Sequence, residues 1–514
     1  MIQKYTLPLI FSAIAIFYPA ACILYGDLIP EAAGLGHDGV HSATYSQHIA
    51  TLFNQVPNAY TVQHSLIWFV LGGVYWLIAQ FSATFADALN VNHIPGLAPQ
   101  GWRANATIAI ASYWAVNSIC LVASIFCWAK IVERLAITGA VAVLSYFMLF
   151  ISVGNLKMPS FYVIIGDLPM LLFGVGAIYL YLANRRGWLM GFGILSGFIR
   201  SGLPEMAALL LMFPHVTHGT RSSSGGHLGY VAAGLGGAIL AAGVAYCIDD
   251  PQHLLYTQHL QDSVAVRLLS GAIACAYVTV GLYFLFRRVR LDDAIPQIRH
   301  VLSALAVVAG VATPLWLFAG PTDLSYLEFF KRGVYTGSAF PGISLVAHIV
   351  YFGPGILLVI LLWPKVADAA RELGTGFVAM LGLGVCLSIF SESRTITAYI
   401  PAFILALILA LARMGHLRKW GFVACATLCV LFSKVWMQMA VTDRFFDGPG
   451  LVPLQRYFMN FGPWFSPRSY LWQGLAILLA SAILISWLYG PIHSKRRTNR
   501  QREAEAHLTL PPLR

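Results

Sequence analysis

Charged side chains are scarce in this chain. Only 10% of its 514 residues are Asp, Glu, Lys or Arg, whereas 58% are hydrophobic, and the mean hydropathy is +0.72. Soluble domains carry about 25% charged and about 45–50% apolar residues. So few charges cannot cover a soluble protein of this length, which excludes a soluble multidomain enzyme, a disordered protein and a nucleic-acid-binding module. The composition predicts a polytopic membrane protein with no nucleic-acid partner.

Paired cysteines and the motifs of soluble enzymes are also missing from the sequence. The eight cysteines lie in or beside apolar runs, without the loop spacing of a disulfide framework or a zinc site, and we interpret them as small hydrophobic residues. There is no P-loop, H-E-x-x-H, EF-hand or G-x-S-x-G sequence, and no cytoplasmic Asp-x-Asp for a metal-bound nucleotide sugar. We therefore expect neither a metal ion nor a cofactor.

Long apolar runs are abundant, and a membrane-spanning helix needs about 20 such residues. The run 6–25 is interpreted as the first transmembrane helix, and not as a cleaved signal peptide. The run 187–214 is interrupted near Arg200 and Pro204, which predicts two short helices, 187–199 and 203–214. The runs are 6–25, 65–86, 106–128, 135–153, 167–183, 187–214, 227–247, 264–286, 301–319, 344–363, 376–391, 396–412, 421–439 and 470–489.

The distribution of basic residues predicts the orientation of these helices. If 65–86 crossed the membrane, the arginine-rich loops near 185 and 287 would lie outside, against the positive-inside rule. If it lies along the outer face, most basic loops and the tail 490–514 lie inside. We therefore predict an all-α bundle of about fourteen transmembrane helices. Its first extracytoplasmic loop, 26–105, is long and carries juxtamembrane helices, and both termini are cytoplasmic.

Ionisable residues gather at the outer ends of the predicted helices. Such residues in or beside membrane helices are functional candidates, because burying them in lipid is costly. Their position predicts that chemistry or binding takes place at the extracytoplasmic membrane boundary. The principal candidates among them are Asp38, His64, Lys157, Asp167, Arg200, Glu392 and Arg394.

The order of several segments resembles the GT-C class of integral-membrane glycosyltransferases. The resemblance covers the layout of residues 1–290, and in the later part Glu392-x-Arg394 and Pro401 are similar to some members. Position 64 departs from the pattern, because it is His where relatives often have Arg or Lys. The segments are Gly36-His37-Asp38-Gly39, Tyr45 to Ala50, Tyr60 to His64, Trp128 to Arg134, Gly166-Asp167-Leu168-Pro169, Asn184 to Gly187 and Gly193 to Arg200.

The resemblance implies an architecture and a reaction. Residues 1–290 would form a catalytic transmembrane module, 291–489 C-terminal helices and 490–514 a basic cytoplasmic tail. The enzyme would move a sugar from a polyprenyl-phosphate donor to a glycan, lipid or protein acceptor. The short loops and compact size favour a bacterial inner membrane, with the site facing the periplasm or exterior, and the endoplasmic reticulum is the alternative.

This reaction needs a carboxylate base and cations for the departing phosphate. Asp38 is our candidate base, which implies inversion, and a turn residue before Gly39 is the alternative. Asp167 is a second catalytic candidate or a helix cap. The candidate substrate-binding residues are Arg200, whose structural partner would be Glu205, together with Arg394, His64, Lys157 and Glu392.

The sequence leaves three other functions open. An O-antigen ligase or polymerase is expected to have a larger late outer loop rich in Arg and His than the segment 440–469. A lipid or glycan transporter is expected to have inverted repeats and paired broken helices, whereas the sequence predicts one break, at 200–205. An acyltransferase would require the pair His37-Asp38 to lie deep in the membrane.

Overall fold

We describe the protein from a computed structural model. The structure describes residues 2–29, 59–82, 100–163, 167–200, 202–213, 227–247, 263–290, 292, 295–319, 326–414, 419–438 and 469–488. The regular secondary structure in these ranges is entirely helical, and they contain no strand.

The α-helices are numbered in chain order, leaving out a single turn at Met158–Phe161. A π-helical segment, Val153–Lys157, precedes that turn, and a 3₁₀ turn, Ser393–Ile396, joins α15 to α16. The helices are α1 Ile2–Leu24, α2 Ala59–Ser82, α3 Gln100–Arg134, α4 Gly139–Phe150, α5 Asp167–Leu182, α6 Arg186–Ser196, α7 Leu203–Met212, α8 His227–Cys247, α9 Val264–Phe286, α10 Ile298–Phe318, α11 Tyr326–Gly337, α12 Ile343–Phe352, α13 Pro354–Leu361, α14 Trp363–Glu372, α15 Thr375–Leu387, α16 Ile400–Arg413, α17 Lys419–Ser433 and α18 Ser469–Leu488.

The core of the molecule is a set of helices that other helices surround. Helix α16 is buried along nearly its whole length, and it packs against α4, α5, α13 and α14. Helices of the periphery expose large apolar side chains instead, such as Leu235 on α8, Trp316 on α10 and Leu478 on α18. Apolar side chains both in the interior and on the outer surface are the pattern of a bundle surrounded by lipid.

The described residues contain seven helices long and apolar enough to cross a membrane, or eight if the bent pair Gly139–Phe150 and Val153–Phe161 counts as one span. The protein is therefore a helical multi-pass membrane protein. One of the seven is Val62–Ala79 in α2, and its predicted course along the outer face stays a prediction. The seven are Tyr5–Leu24, Val62–Ala79, Thr107–Arg134, His227–Cys247, Val264–Phe286, Ile298–Phe318 and Ser469–Leu488.

Some breaks between helices agree with the sequence-based predictions and others do not. The two short helices expected around Arg200 are present as α6 and α7, and Gly202 begins the second with a left-handed φ of 91°. The expected continuous helix 344–363 is wrong, because it divides at Gly353, which has φ of 82°, and Pro354 then starts α13. Proline fits the first turn of a helix but cannot continue one.

A second correction concerns the expected helix 135–153. The helix begins later, at Gly139, and its path continues beyond Phe150 through the π-helical segment, with a bend of 59°. A π-helical turn carries one residue more than an α-turn and frequently occurs at functional sites. Lys157 is the last residue of this π-helical segment.

The two ends of the bundle differ in charge. At one end, Arg134 Nε donates to the backbone oxygen of Leu182 at 2.9 Å, Arg288 pairs with Asp368 at 3.3 Å, and Arg413 pairs with Glu372. These residues belong to the basic loops that the positive-inside rule predicts to be cytoplasmic. Helix α5 runs from Asp167 at the opposite end to Leu182 at this one. We refer to them as the basic end and the site end.

Candidate functional site

A buried carboxylate at the first residue of α5 is the centre of the candidate site. Asp167 has no exposed surface, and its Oδ2 accepts a hydrogen bond of 2.9 Å from the Tyr351 hydroxyl. Its Oδ1 lies 3.3 Å from Arg394 Nε and 3.7 Å from Arg200 Nη1. The helix start adds favourable potential for a negative charge. One carboxylate therefore holds two guanidinium groups.

Arg394 is positioned by the 3₁₀ turn between α15 and α16. The neighbouring Ser393 hydroxyl lies 3.0 Å from His348 Nδ1, and His348 Nε2 lies 2.8 Å from the backbone oxygen of Ser388. His348 is 2% exposed, so this bridge is protected from water. Helix α12 therefore fixes the turn from one side, while Asp167 fixes the guanidinium from the other.

Arg200 reaches the same carboxylate from the turn between α6 and α7. Its Nη1 also lies 3.7 Å from Met170 Sδ, one turn along α5. The Tyr399 hydroxyl donates to the backbone oxygen of Gly202 at 2.8 Å, which attaches this turn to the start of α16. The side chains of Arg200 and Arg394 remain 22% and 16% exposed. Both side chains thus keep some exposed surface.

Two glutamates lie near this centre without replacing Asp167. Glu392 Oε1 is 3.9 Å from Arg394 Nη1, which makes Glu392 a longer-range partner of this arginine. Glu205, the alternative structural partner of Arg200, forms no ion pair with it within the described residues, and its buried Oε2 has no hydrogen-bond partner there. The anion beside Arg200 is Asp167.

Lys157 forms a separate buried ion pair with Asp27. Lys157 Nζ is 2.7 Å from Asp27 Oδ2, and their side chains are 1% and 8% exposed. The ammonium also lies 5.7 Å from the centre of the Tyr18 ring. The backbone nitrogen of Ile29 donates to the oxygen of Phe161 at 2.9 Å. Together these contacts attach residues 27–29, where the predicted first outer loop begins, to the π-helical segment and the turn after it.

His64 lies near the start of α2, where its ring stacks on Trp68 with centroids 5.9 Å apart. The backbone nitrogen of Leu66 donates to the oxygen of Phe198 at 3.0 Å, so this part of α2 contacts the turn that carries Arg200. Asp38 lies outside the described residues. The structure thus brings together Asp167, Arg200, Arg394 and Glu392, and places Lys157 in a second centre.

An apolar cavity adjoins the 3₁₀ turn. It has a volume of about 130 Å³, and Ile396 of the turn, His348 and Phe403 contribute to its wall. Tyr277 and Ser388 share a hydrogen bond of 2.9 Å at its margin. Arg200 and Arg394 do not line this cavity, which reaches the site only through Ile396 and His348.

A close backbone contact sets the distance between α5, which carries Asp167, and the 3₁₀ turn, which carries Arg394. Gly174 of α5 packs so tightly on Ala398 that a Cβ atom at 174 would overlap the Ala398 backbone oxygen. Ala398 follows the 3₁₀ turn, four residues after Arg394. Because Gly174 has no side chain, the 3₁₀ turn can lie this close to α5.

Sequence reasoning missed Tyr351 and His348, both in apolar helix α12. A buried tyrosine or histidine in an apolar run needs a polar partner, which was the available signal. Among the described residues there is no group of three or more His, Cys, Asp or Glu side chains that could hold a metal ion. Comparison of the chain with family models, with curated proteins and with solved structures found no match.

Proposed function

We propose that the protein is an inverting glycosyltransferase that uses a polyprenyl-phosphate-linked sugar at the extracytoplasmic membrane face. The acceptor is a glycan, a lipid or a protein. The observation that carries this proposal is the cluster of Asp167, Arg200 and Arg394 at the site end, opposite the basic loops. Arginine binds phosphate in bidentate fashion, and a buried carboxylate can hold two arginines at a fixed separation.

The cluster suits a departing lipid phosphate. Asp167 is shared by both guanidinium groups, and the other carboxylate near them, Glu392, lies 3.9 Å from Arg394 and is itself partly exposed, so the two arginines share one close carboxylate. The cavity lined by Ile396, two residues after Arg394, has room for a short piece of isoprenoid chain. In this proposal Arg394 and Arg200 contact the donor phosphate, while Asp167 positions them. Glu392 and His64 line the approach for the sugars.

The proposed architecture is a GT-C-like bundle of about fourteen transmembrane helices, in which shorter apolar helices such as α5 and α16 also lie within the membrane. The proposed location is a bacterial inner membrane with the site end facing the periplasm. The positive-inside rule supports this orientation, because the basic loops gather at the other end.

Asp38 is the proposed base that takes the proton of the acceptor hydroxyl. The loop that carries it starts beside the site end, where Asp27 and Lys157 attach it. Asp38→Asn keeps the size of the side chain but cannot accept the proton, so turnover should fall about a hundredfold or more with donor binding unchanged. The measurement is transfer of a labelled sugar from a polyprenyl-phosphate donor by purified protein. Near-normal turnover by Asp38→Asn would reject this assignment.

A lipid or glycan transporter is the second candidate, favoured by the number of broken helices. Breaks occur between α6 and α7, between α12 and α13 and, with a bend of 59°, at the π-helical segment. Broken helices surround substrate in many transporters. An activity assay in detergent micelles distinguishes the two functions. An enzyme forms its product in micelles, whereas transport requires a sealed vesicle.

A further inference from the structure

Two helices begin side by side at the basic end. Gly193 of α6 packs against Val307 of α10, and Gly197 packs against Val311, in the same order along both helices. Helices α6 and α10 are therefore parallel neighbours. Extending this register back toward their first residues places Arg186 level with His300.

The first turns of both helices carry positive charge, which is the opposite of the usual arrangement. Arg186 starts α6 and Arg299 is the second residue of α10, and neither first turn contains an acidic residue. The amino end of a helix has a partial positive charge, so cations there are unfavourable and anions are favourable. Two such ends together with two arginines form a region of concentrated positive potential.

Two side-chain polar atoms of the first turns of α6 and α10 lack a hydrogen-bond partner among the described residues. Within the described part of the chain, Arg186 Nη2 and His300 Nε2 are buried and make no hydrogen bond. His300 is only 3% exposed. Burial, followed by the charges of Arg186 and Arg299, lowers the pKa of His300. Partial burial, followed by the charge of Arg299, lowers the pKa of Arg186.

No described carboxylate compensates these charges. Arg299 Nε donates to the neutral Gln297 side chain at 3.0 Å, whereas Arg290 nearby in sequence pairs with Asp292 at 3.5 Å. A buried donor without an acceptor costs about 1–3 kcal/mol, and more when it is charged. An anion between the two helix starts would remove this cost and use both helix ends.

We propose that the adjoining starts of α6 and α10 bind a phosphate group through Arg186, His300 and Arg299. The ligand is an anion with phosphate chemistry, supplied either by an anionic lipid headgroup or by a free phosphate compound. The site lies at the opposite end of the bundle from Asp167, and phosphate binding there does not depend on glycosyl transfer.

The first arm of the test uses inorganic phosphate and the full-length protein in detergent. Phosphate should raise the melting temperature of wild type above its value in chloride at equal ionic strength. Arg186→Gln and His300→Gln should weaken the apparent phosphate affinity about tenfold or more, the loss of one charged hydrogen bond. Arg290→Gln removes the same charge from an exposed, paired arginine and should respond like wild type.

The second arm distinguishes a lipid from a free anion. The protein is reconstituted in nanodiscs of phosphatidylcholine with or without phosphatidylglycerol, and retained lipid is counted by native mass spectrometry. Retention of phosphatidylglycerol that is lost in Arg186→Gln and His300→Gln identifies a lipid headgroup. A phosphate response without such retention identifies a free anion.

A third measurement separates binding from a folding defect. Without phosphate or anionic lipid, Arg186→Gln should melt at a higher temperature than wild type, because it removes repulsion from Arg299 and from the helix end. Saturating ligand should reverse this order. The proposal is wrong if wild type responds neither to phosphate nor to phosphatidylglycerol. It is also wrong if Arg186→Gln and His300→Gln both respond to these probes as strongly as wild type and Arg290→Gln.

Discussion

Asp167 and Asp27 are both buried carboxylates at the site end, but their surroundings differ. Asp27 has a lysine partner, Lys157, at 2.7 Å, and neither side chain is more than 8% exposed. Asp167 is shared by two arginines at 3.3 and 3.7 Å, whose side chains remain 16% and 22% exposed. The first centre is a single closed ion pair, whereas in the second two arginines share one buried carboxylate, with Glu392 farther away at 3.9 Å, and both arginines keep exposed surface. We infer that the first holds the fold and the second binds substrate.

The largest expected effect comes from removing the cation of the open centre. Arg394→Ala should leave the helices folded but lower transfer activity about a hundredfold or more, as loss of one preorganised donor to a developing anion does. Arg394→Lys should restore only part of the rate, because lysine lacks the planar fork. Rates are measured with purified protein against Arg332→Ala, which alters a partly exposed arginine that pairs with Glu328. Full activity in Arg394→Ala would contradict the phosphate assignment.

Removing one partner of the Asp27–Lys157 ion pair should lower stability and leave substrate affinity unchanged. Asp27→Asn or Lys157→Met should lower the free energy of unfolding by about 3–5 kcal/mol, because each leaves a buried charge without its partner. The double variant Asp27→Leu with Lys157→Met should recover most of the loss, since no buried charge remains. Melting temperature and KM are measured together. A raised KM with normal stability would place Lys157 in the substrate site.

The distance between α5 and the turn that carries Arg394 can be changed without altering any charge. Gly174→Ala should destabilise the protein by about 1–3 kcal/mol through overpacking and displace the turn that carries Arg394. Activity should fall more than in Gly191→Ala, a helix glycine with open space around it. Equal activities in the two variants would show that this backbone contact does not position Arg394.

Lys434 differs from both centres, because its buried Nζ has no hydrogen-bond partner among the described residues. The residue is only 5% exposed. A buried donor without an acceptor is destabilising, so Lys434→Met should raise the free energy of unfolding by about 1 kcal/mol. Lys365→Met, at an exposed position, should change it little. Melting curves of both variants check this, and a lower melting temperature in Lys434→Met would show that the ammonium group stabilises the fold.

Local features of the site could be predicted from the sequence, but the contacts between its residues could not. Arg200 and Pro204 predicted the break between α6 and α7, and Asp167 before Pro169 predicted a helix start. Nothing local joins Asp167 to Arg394, which lies 227 residues away and reaches it only through the packing of α5 against α16. The contribution of Tyr351 was hidden for the same reason, since its partner is set by tertiary structure.

Helix length has a consequence for where the reaction surface lies in the membrane. The central helices α5, α15 and α16 have 16, 13 and 14 residues, or about 20–24 Å at 1.5 Å per residue. The peripheral helices α8, α9 and α10 have 21, 23 and 21 residues, or about 32–35 Å, which matches a hydrocarbon layer of about 30 Å. Helices α5, α15 and α16 are thus shorter than this layer, whereas α8, α9 and α10 match it. If the proposed function is right, the helix start at Asp167 would lie below the outer headgroups, where a lipid-linked sugar and a hydrophilic acceptor could meet without either crossing the bilayer.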